Sequence, residues 1–285
     1  MTSFISGEKF QELADVSIAL NIDSNYKSNI VKDQLSNIQT KCFVFEDNSP
    51  AVVPNEIKNA KTIFVYTHIL NFFFSNIFPQ IEHPITLITH NSDAGIDSNY
   101  LQYIDSDKIK KWYCQNRYIN HTKLISLPIG IANSQWLHGN QQMLCKIVNE
   151  NTQKTNLVFK NFDISTNYNS RTICNNATNA NNIHLSSHTT NENYWKQISA
   201  SNYVIAPHGN GVDSHRIWEC LILKTIPVVQ YHECFSQFID LPILFVNDWE
   251  CVTHEYLLCN LSKLQSKMQN LDMLQILYWK NKINL

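Results

Sequence analysis

The chain has 285 residues, of which 44% are hydrophobic, and this is enough for one large domain or two medium domains built around a core. Its formal net charge of −2 gives no reason to expect nucleic acid as a partner. The longest apolar run, residues 69–78, is interrupted by Asn71, Ser75 and Asn76 and is too short to cross a bilayer. The composition therefore argues against a nucleic-acid-binding or membrane-spanning class.

The N-terminal sequence, MTSFISGEKFQELADV, lacks the basic and apolar regions of a signal peptide, so we expect a cytoplasmic protein. None of the eight cysteines forms a Cys-x-x-Cys pair, and several lie in apolar runs. We interpret them as small buried thiols in a reducing compartment. A zinc site is conceivable, although the spacing of its candidate ligands matches no standard pattern. Its candidate ligands are His232, Cys234, Cys251 and His254.

The first half of the chain alternates helix-like segments with apolar, strand-like segments. Helices are predicted near 6–13, 26–38, 54–60, 70–81 and 98–111. Strands are predicted at 16–22, 42–46, 62–66, 85–89, 112–115 and 124–131. This alternation, with strands that are apolar almost throughout, predicts a parallel, doubly wound α/β sheet. Ligands of such sheets bind outside the carboxyl ends of the strands.

Polar residues follow two neighbouring predicted strands at their carboxyl ends. Thr67 and His68 follow the third strand, and the segment HNSD at 90–93 follows the fourth, so both loops should line one crevice. Asp93 is the first candidate for a general base, with His68 and His90 next, because a carboxylate or an imidazole in a cleft can take a proton from a hydroxyl group. Equally, Asp93 can serve only to shape the turn Asn-Ser-Asp-Ala-Gly.

A polar connection at 133–153 separates the two halves, and we predict one domain at 1–135 and another at 136–285. Strands are predicted near 157–162, 183–185, 202–206, 226–229 and 243–246, and helices near 143–148, 193–199, 234–238, 257–268 and 271–278. Thr166 lies in the polar end of the first of these strands, and Arg171 opens the helix that follows. Arg171 can face a second phosphate-binding loop or be an ordinary surface arginine.

The stretch 201–229 is the most informative part of the chain. A buried strand leads into the turn PHGNG at 207–211, and a helix then begins with Asp213 or Ser214 as its N-cap. Another strand follows, so the stretch forms one βαβ unit. The two glycines of the turn can adopt positive φ angles or allow a ligand to approach the backbone.

This turn and the start of its helix have the features of a phosphate site. Free N–H groups and the helix dipole attract anions at a helix N-terminus. Arg216, in the first turn of the helix, can add a forked contact to a diphosphate, and Glu219 can accept hydrogen bonds from ribose hydroxyls. The alternative is that Arg216 and Glu219 form a surface pair and that Asp213 is only a cap.

The segment PHGNGVDSHRIWE at 207–219, followed by IPVV at 226–229, resembles the donor site of exostosin-like glycosyltransferases, which have the GT-B architecture. Members of this family have a Pro-x-Gly turn, then an Arg and a Glu on the next helix, then an Ile-Pro strand. Stretches at 64–68, 87–93, 127–131 and 161–171 fit a bacterial or viral branch of the family less sharply. Lys224 and Thr225 depart from the glycine that usually precedes the Ile-Pro strand, which alters the helix end and leaves the ligand contacts intact.

The resemblance implies two Rossmann-like domains facing a cleft, with the acceptor on the first and the nucleotide sugar on the second. It implies transfer of a hexosyl or pentosyl group to a hydroxyl of a glycan, a lipid-linked acceptor or a related acceptor, as in polysaccharide biosynthesis. If the transfer inverts the sugar, the first domain supplies the base. The last helix can cross back onto the first domain, as in the resembled architecture. The donor-binding candidates are His208, Gly209, Asn210, Gly211, Asp213, Arg216, Glu219, Thr166 and Arg171.

The resembled family uses protein cations and a helix N-terminus in place of a metal, so we expect no divalent ion and no other cofactor. Asp105 and Asp107 do form an Asp-x-Asp motif, which holds a metal on the donor diphosphate in glycosyltransferases of the other common architecture. A helix cap followed by basic residues explains this motif as well. Peripheral contact with a membrane near a lipid-linked acceptor stays open, although no basic amphipathic helix clearly supports it.

Two other classes remain open at the level of sequence. A transferase of a nucleotide-activated phosphoryl or sulfuryl group would share the phosphate-binding turn, although the chain has no Gly-x-x-x-x-Gly-Lys-Ser/Thr motif. A non-enzymatic module that binds a nucleotide sugar or a glycan would show binding without turnover.

Overall fold

The computed structural model describes residues 3–21, 38–46, 52–269 and 271–284, and these contain two parallel sheets. The first sheet has six strands in the order β2-β1-β3-β4-β5-β6, and the second has four in the order β10-β9-β8-β7. The strands are β1 (Val16–Asn21), β2 (Cys42–Glu46), β3 (Thr62–Tyr66), β4 (Ile85–His90), β5 (Ile109–Cys114), β6 (Leu124–Ser126), β7 (Asn156–Phe159), β8 (Ser201–Ile205), β9 (Ile226–Gln230) and β10 (Leu244–Val246).

Helices lie in several of the connections between these parallel strands. In the described part of the chain they are α1 (Gly7–Gln11), α2 (Asn55–Lys58), α3 (Leu70–Phe72), α4 (Leu101–Ile104), α5 (Gln141–Asn149), α6 (Tyr168–Ala180), α7 (Asn191–Ser199), α8 (His215–Ile222), α9 (His254–Gln265) and α10 (Ile276–Ile283). A π-helical turn, Phe73–Ile77, and a 3₁₀ turn, Phe78–Gln80, extend α3. No helix in the described ranges is long and apolar enough to cross a membrane.

The sequence predicted most strands closely, and β2 and β3 have the predicted bounds. The helix predicted at 98–111 was wrong in its second half, because α4 ends at Ile104 and β5 begins at Ile109. Lys110 and Lys111 fall within that predicted helix. They instead occupy the start of a parallel strand, where Lys110 is exposed and Trp112 is buried.

Two other predicted strands differ in the structure. The strand predicted at 124–131 ends at Ser126, because the chain then turns toward the second sheet and Pro128 has no N–H to donate to a ladder. The segment 183–185 is irregular and joins no sheet, although the Ser186 N–H donates to Lys160 O. The helix predicted at 26–38 lies outside the described residues except for residue 38.

A hydrophobic cluster extends from the first sheet to the face of the second sheet that α7 and α8 cover. A smaller cluster fills the space between the other face of the second sheet, α6 and α9. Every residue of β4 is buried, as expected for a central strand with helices on both faces. The predicted domain boundary at 135 falls between β6 and β7, and the two sheets are joined by shared apolar contacts.

The C-terminal helix α10 returns to the first sheet. The Tyr113 hydroxyl of β5 donates to Lys282 O at 2.9 Å, and the Trp279 ring lies edge-on to the Phe10 ring with centroids 5.8 Å apart. The backbone N–H of Ile5 also donates to Leu274 O, just before this helix. The first domain therefore contains both ends of the described chain.

Helix α8 ends with a left-handed residue, as helices in many proteins do. Lys224 has a φ of +53°, a conformation that favours glycine, and the Thr225 N–H donates to Cys220 O at 2.8 Å. The lysine that departs from the family pattern therefore keeps the backbone geometry that a glycine would have.

Candidate active site

Loops at the carboxyl ends of both sheets meet in the middle of the molecule. Gly211, in the turn after β8, lies against Asp93, which follows β4, and against Asn116, which follows β5. A Cβ atom on Gly211 would lie 2.9 Å from Asn116 Nδ2 and 3.5 Å from the Asp93 backbone. Neither Gly209 nor Gly211 has a positive φ, so that part of the prediction was wrong. Gly211 instead makes room for the first domain.

Asn116 joins the loop that carries Asp93 to the turn of the second domain. Its Nδ2 donates to Asp93 O at 3.3 Å, and its Oδ1 accepts from the Asp213 N–H at 3.1 Å. Asn116 itself is buried and has a φ of +54°, a left-handed conformation that asparagine tolerates. One amide side chain therefore contacts both loops.

Asp213 holds the two domains together with its carboxylate. Oδ2 accepts from the Ile129 N–H of the first domain at 2.6 Å, and both oxygens accept from Trp218 Nε1 at 2.8 and 3.0 Å. Only 5% of the residue is exposed, and burial raises the pKa of Asp213 to about 7. The N-cap of α8 is Ser214. The structure thus directs the predicted donor ligand Asp213 into the domain interface.

Arg216 lies in the first turn of α8 and is partly exposed. Its Nε donates to the Tyr194 hydroxyl at 2.8 Å, and its guanidinium carbon lies 5.8 Å from the centre of the Tyr194 ring. Among the described residues, neither terminal nitrogen of Arg216 has a hydrogen-bond partner. Four N–H groups of this guanidinium are therefore available to an anion.

Arg171, on α6, contacts the turn after β8 and is 6% exposed. Its Nε donates to His208 O at 2.9 Å and its Nη1 to Asp163 O at 2.6 Å. A Cβ atom on Gly209 would lie 3.5 Å from its Nη2, so the guanidinium covers the turn. Burial and the charge of Arg216 lower the pKa of Arg171 to about 10. Two guanidinium groups therefore repel each other at this point, and a bound anion would relieve the repulsion.

Glu219 lies one turn behind Arg216 and is only 4% exposed. Burial raises its pKa to about 7, and the charge of Arg216 offsets part of that rise. The two side chains make no ion pair within 4.0 Å, so the alternative of a surface pair was wrong. In the structure the Glu219 side chain is buried near Arg216, and its contact with a ribose stays a prediction.

The other predicted donor residues border the turn. The His208 Nε2–H donates to Gln230 O at 3.1 Å, and its ring is half-buried. The Gly209 N–H donates to Gly211 O at 3.0 Å, which closes the turn, and Asn210 is exposed at its tip. Thr166 is exposed on the 3₁₀ turn Ile164–Asn167, which also carries Asn167. Asn167 Nδ2 donates to Gly209 O at 2.7 Å and thereby fixes this turn to the loop after β7.

The three candidate bases have different surroundings. Asp93 is exposed beside Gly211, where partial burial raises its pKa and a hydrogen bond from the Gly211 backbone offsets part of that rise. His68 is exposed after β3, with its ring 5.9 Å from Tyr66. His90 is 1% exposed, and burial lowers its pKa to about 4. Both ring nitrogens of His90 are engaged, by Pro128 O and the Asn91 N–H. Of the three, Asp93 lies nearest the turn of the second domain.

The metal hypotheses receive no geometric support from the described residues. Asp105 and Asp107 precede β5, so they lie at the amino edge of the first sheet, opposite the site, and Asp105 pairs with His121 Nε2 at 3.1 Å. His232 Nδ1 accepts from the Cys234 N–H, while Cys251 is exposed. No group of three or more His, Cys, Asp or Glu side chains with the arrangement of metal ligands occurs in the described ranges.

All eight cysteines are free, as expected, but they are not uniformly buried. Cys114, Cys174, Cys220 and Cys234 are buried, whereas Cys251 and Cys259 are exposed. The interpretation as small buried thiols therefore holds for only part of the set.

Sequence reasoning missed several residues at the site. Neither Tyr194, on the helix predicted near 193–199, nor Asn116, directly after the strand predicted at 112–115, was among the candidate site residues. Tyr118 and His232 face each other from the two domains, with ring centroids 5.3 Å apart, and the charge of Asp93 contributes to a raised pKa of Tyr118 after burial. A polar residue directly after a predicted strand was the one available signal, and it applies to Asn116.

No protein-family model and no curated protein matches the sequence. Among solved structures, the chain is similar to OtsA in its apo form, with a TM-score of 0.50 and 9% identity over 94% of this chain and 98% of that one. A glycosyltransferase from Rickettsia africae ESF-5 aligns with a TM-score of 0.47 and 13% identity over 96% and 92% of the two chains. An alpha1,3-fucosyltransferase aligns with a TM-score of 0.44 and 12% identity over 90% and 80%.

At these identities the similarity concerns the fold. Together with the six-stranded and four-stranded parallel sheets, it shows two Rossmann-like domains in the GT-B arrangement, as the sequence predicted. The carboxyl ends of both sheets face the contact between Asp93, Asn116 and Gly211.

Proposed function

We propose that the protein transfers a glycosyl group from a nucleotide sugar to a hydroxyl group of a glycan or related acceptor. The observation that carries this proposal is a pair of guanidinium groups, that of Arg171 over the Gly209 turn and that of Arg216, whose charge lowers the pKa of Arg171. Each is held by neutral oxygen atoms, and each keeps N–H groups without a partner among the described residues. A diphosphate is the ligand whose charge and size suit two neighbouring guanidinium groups.

In this proposal the two arginines stabilise the leaving diphosphate as negative charge develops on it. No divalent ion is needed for that role, because the protein supplies two fixed positive charges. The first domain holds the acceptor, and Asp93 takes the proton of its hydroxyl group if the transfer inverts the sugar. The raised pKa of Asp93 suits this role, since a stronger base accepts a proton more readily.

The assignment to a particular glycosyltransferase family rests on the segment 207–229. Its Pro-x-Gly turn, Arg216, Glu219 and Ile-Pro strand support membership of the exostosin-like family, and that family suggests hexosyl or pentosyl transfer in polysaccharide biosynthesis. The free thiols of the chain suit a reducing compartment, and they support our proposal of a cytoplasmic enzyme.

The test is release of nucleoside diphosphate from a panel of nucleotide sugars, alone and with mixed oligosaccharide acceptors, in the presence of EDTA. We expect one nucleotide sugar to react, slowly with water and faster with an acceptor, because the donor site is complete without metal. Release of the nucleotide from a nucleotide-activated sulfate or phosphate, and not from a nucleotide sugar, would favour the transferase of a non-sugar group. Binding of a nucleotide sugar without any release would favour the non-enzymatic module.

A further inference from the structure

We infer that Tyr194 is a positioning residue for the donor site: its hydroxyl fixes Arg216 so that the free end of the guanidinium faces the diphosphate. The inference rests on the proposed function and adds a residue that the sequence pattern did not indicate. Tyr194 belongs to α7, whereas Arg216 belongs to α8, so the contact joins two helices of the second domain.

The geometry of the contact is specific. The hydroxyl of Tyr194 accepts from Nε alone at 2.8 Å, and the aromatic ring lies beside the guanidinium at 5.8 Å. Burial raises the pKa of Tyr194, so the phenol stays neutral and acts as an acceptor without cancelling the charge of Arg216. The ring itself is held in place by Phe159, whose centroid lies 6.1 Å away.

Arg171 shows why this contact matters. Two backbone carbonyl groups hold the Arg171 guanidinium, so none of its hydrogen bonds depends on another side chain. Arg216 has one hydrogen bond, and it comes from a single side-chain hydroxyl. Because a long flexible side chain loses rotamer freedom when it binds a ligand, prior fixation by Tyr194 lowers that loss and favours binding.

The test is Tyr194→Phe, which keeps the ring and removes only the hydroxyl. Inorganic pyrophosphate is the probe, because it contains the diphosphate without any base, and affinity is measured by calorimetric titration in EDTA. We expect pyrophosphate to bind roughly fivefold to tenfold more weakly to the variant, the usual effect of one lost hydrogen bond. The matched control is Tyr203→Phe, which removes a buried hydroxyl bonded to Leu257 O at 2.8 Å and should leave the affinity unchanged.

A double-mutant cycle with Arg216→Lys separates positioning from a general effect on the fold. Lysine keeps the charge but has no Nε to bond to Tyr194, so Tyr194→Phe should have little further effect in that background. The inference is overturned if Tyr194→Phe weakens binding equally in the unaltered protein and in Arg216→Lys. It is also overturned if Tyr203→Phe weakens binding as much as Tyr194→Phe does. If Tyr194→Phe binds pyrophosphate as tightly as the unaltered protein while Arg216→Ala loses binding, this inference fails and the proposed function stands. If the unaltered protein binds neither pyrophosphate nor any nucleotide, both this inference and the proposed function fail.

Discussion

Replacing Asp213 by alanine should lower the free energy of unfolding by about 2–5 kcal/mol, because it leaves buried donors without a partner. The Ile129 N–H and Trp218 Nε1–H both lose their acceptor, and the two domains lose one of the hydrogen bonds that join them. Equilibrium unfolding in urea measures the change. Asp107→Ala is the control, since Asp107 is exposed on a turn and its loss should alter stability by less than about 0.5 kcal/mol. A similar small change in Asp213→Ala would contradict the structure of this interface.

The pH dependence of the same carboxylate gives a second readout. The pKa of Asp213 is raised to about 7 by burial, whereas an unfolded aspartate titrates near pH ~3.9. Between these values the folded state holds a proton that the unfolded state has released, so this group makes stability fall as the pH rises, by up to about 1.4 kcal/mol per pH unit. Above the folded pKa both states are ionised, and the dependence ends.

Asp213→Asn removes this titration and keeps one oxygen for the Ile129 N–H. We therefore expect the stability of the variant, measured relative to the unaltered protein, to rise between about pH 4 and pH 7 and then level off. The comparison of two proteins is needed because buried His90 and His215, with pKa values lowered to about 4, produce the opposite trend in both. A relative stability that does not change with pH would show that Asp213 titrates normally in the fold.

Asp93→Asn should reduce the turnover number by roughly 10²–10⁴, the usual contribution of a general base. Donor affinity should be unchanged, because the amide oxygen can still accept from the Gly211 backbone as the carboxylate does. Release of nucleoside diphosphate with acceptor present gives the rate, and calorimetric titration gives the affinity. Asp97→Asn is the control on the same loop, since Asp97 accepts from the Asn99 N–H and lies outside the contact with Gly211. Full activity in Asp93→Asn would remove Asp93 from the reaction and leave His68 as the exposed candidate.

Strands were the part of the fold that the sequence predicted best, because a buried parallel strand is apolar along its whole length. The bounds of β3 could be predicted for that reason, whereas β2 is an edge strand that has apolar residues but is partly exposed. The secondary structure of residues at the ends of strands was harder to predict. Lys110 and Lys111 favour a helix when only their charge is considered, and their place in β5 depends on pairing with β4. Such pairing depends on residues distant along the chain and cannot be inferred from local composition.

The site was predicted in part. Arg171, Arg216 and the Gly209 turn were proposed from the sequence as donor-binding residues, and the structure brings them together. The role of Asp213 could not be predicted, because its partner Ile129 lies 84 positions away along the chain. Tyr194 is a similar case. Its aromatic ring suggests packing, and only the fold shows that its hydroxyl reaches Arg216.

The most direct test of the central claim, a metal-independent diphosphate site formed by two arginines, is a calorimetric titration with a panel of nucleoside diphosphates in EDTA. We expect one of them to bind, and we expect Arg216→Ala to weaken binding by about 10–100-fold through the loss of charge-assisted hydrogen bonds. Lys280→Ala, which removes an exposed charge on α10, should bind normally. Binding that requires a divalent ion would contradict the account and direct attention to Asp105 and Asp107. Absence of binding by every nucleotide would contradict the donor site itself.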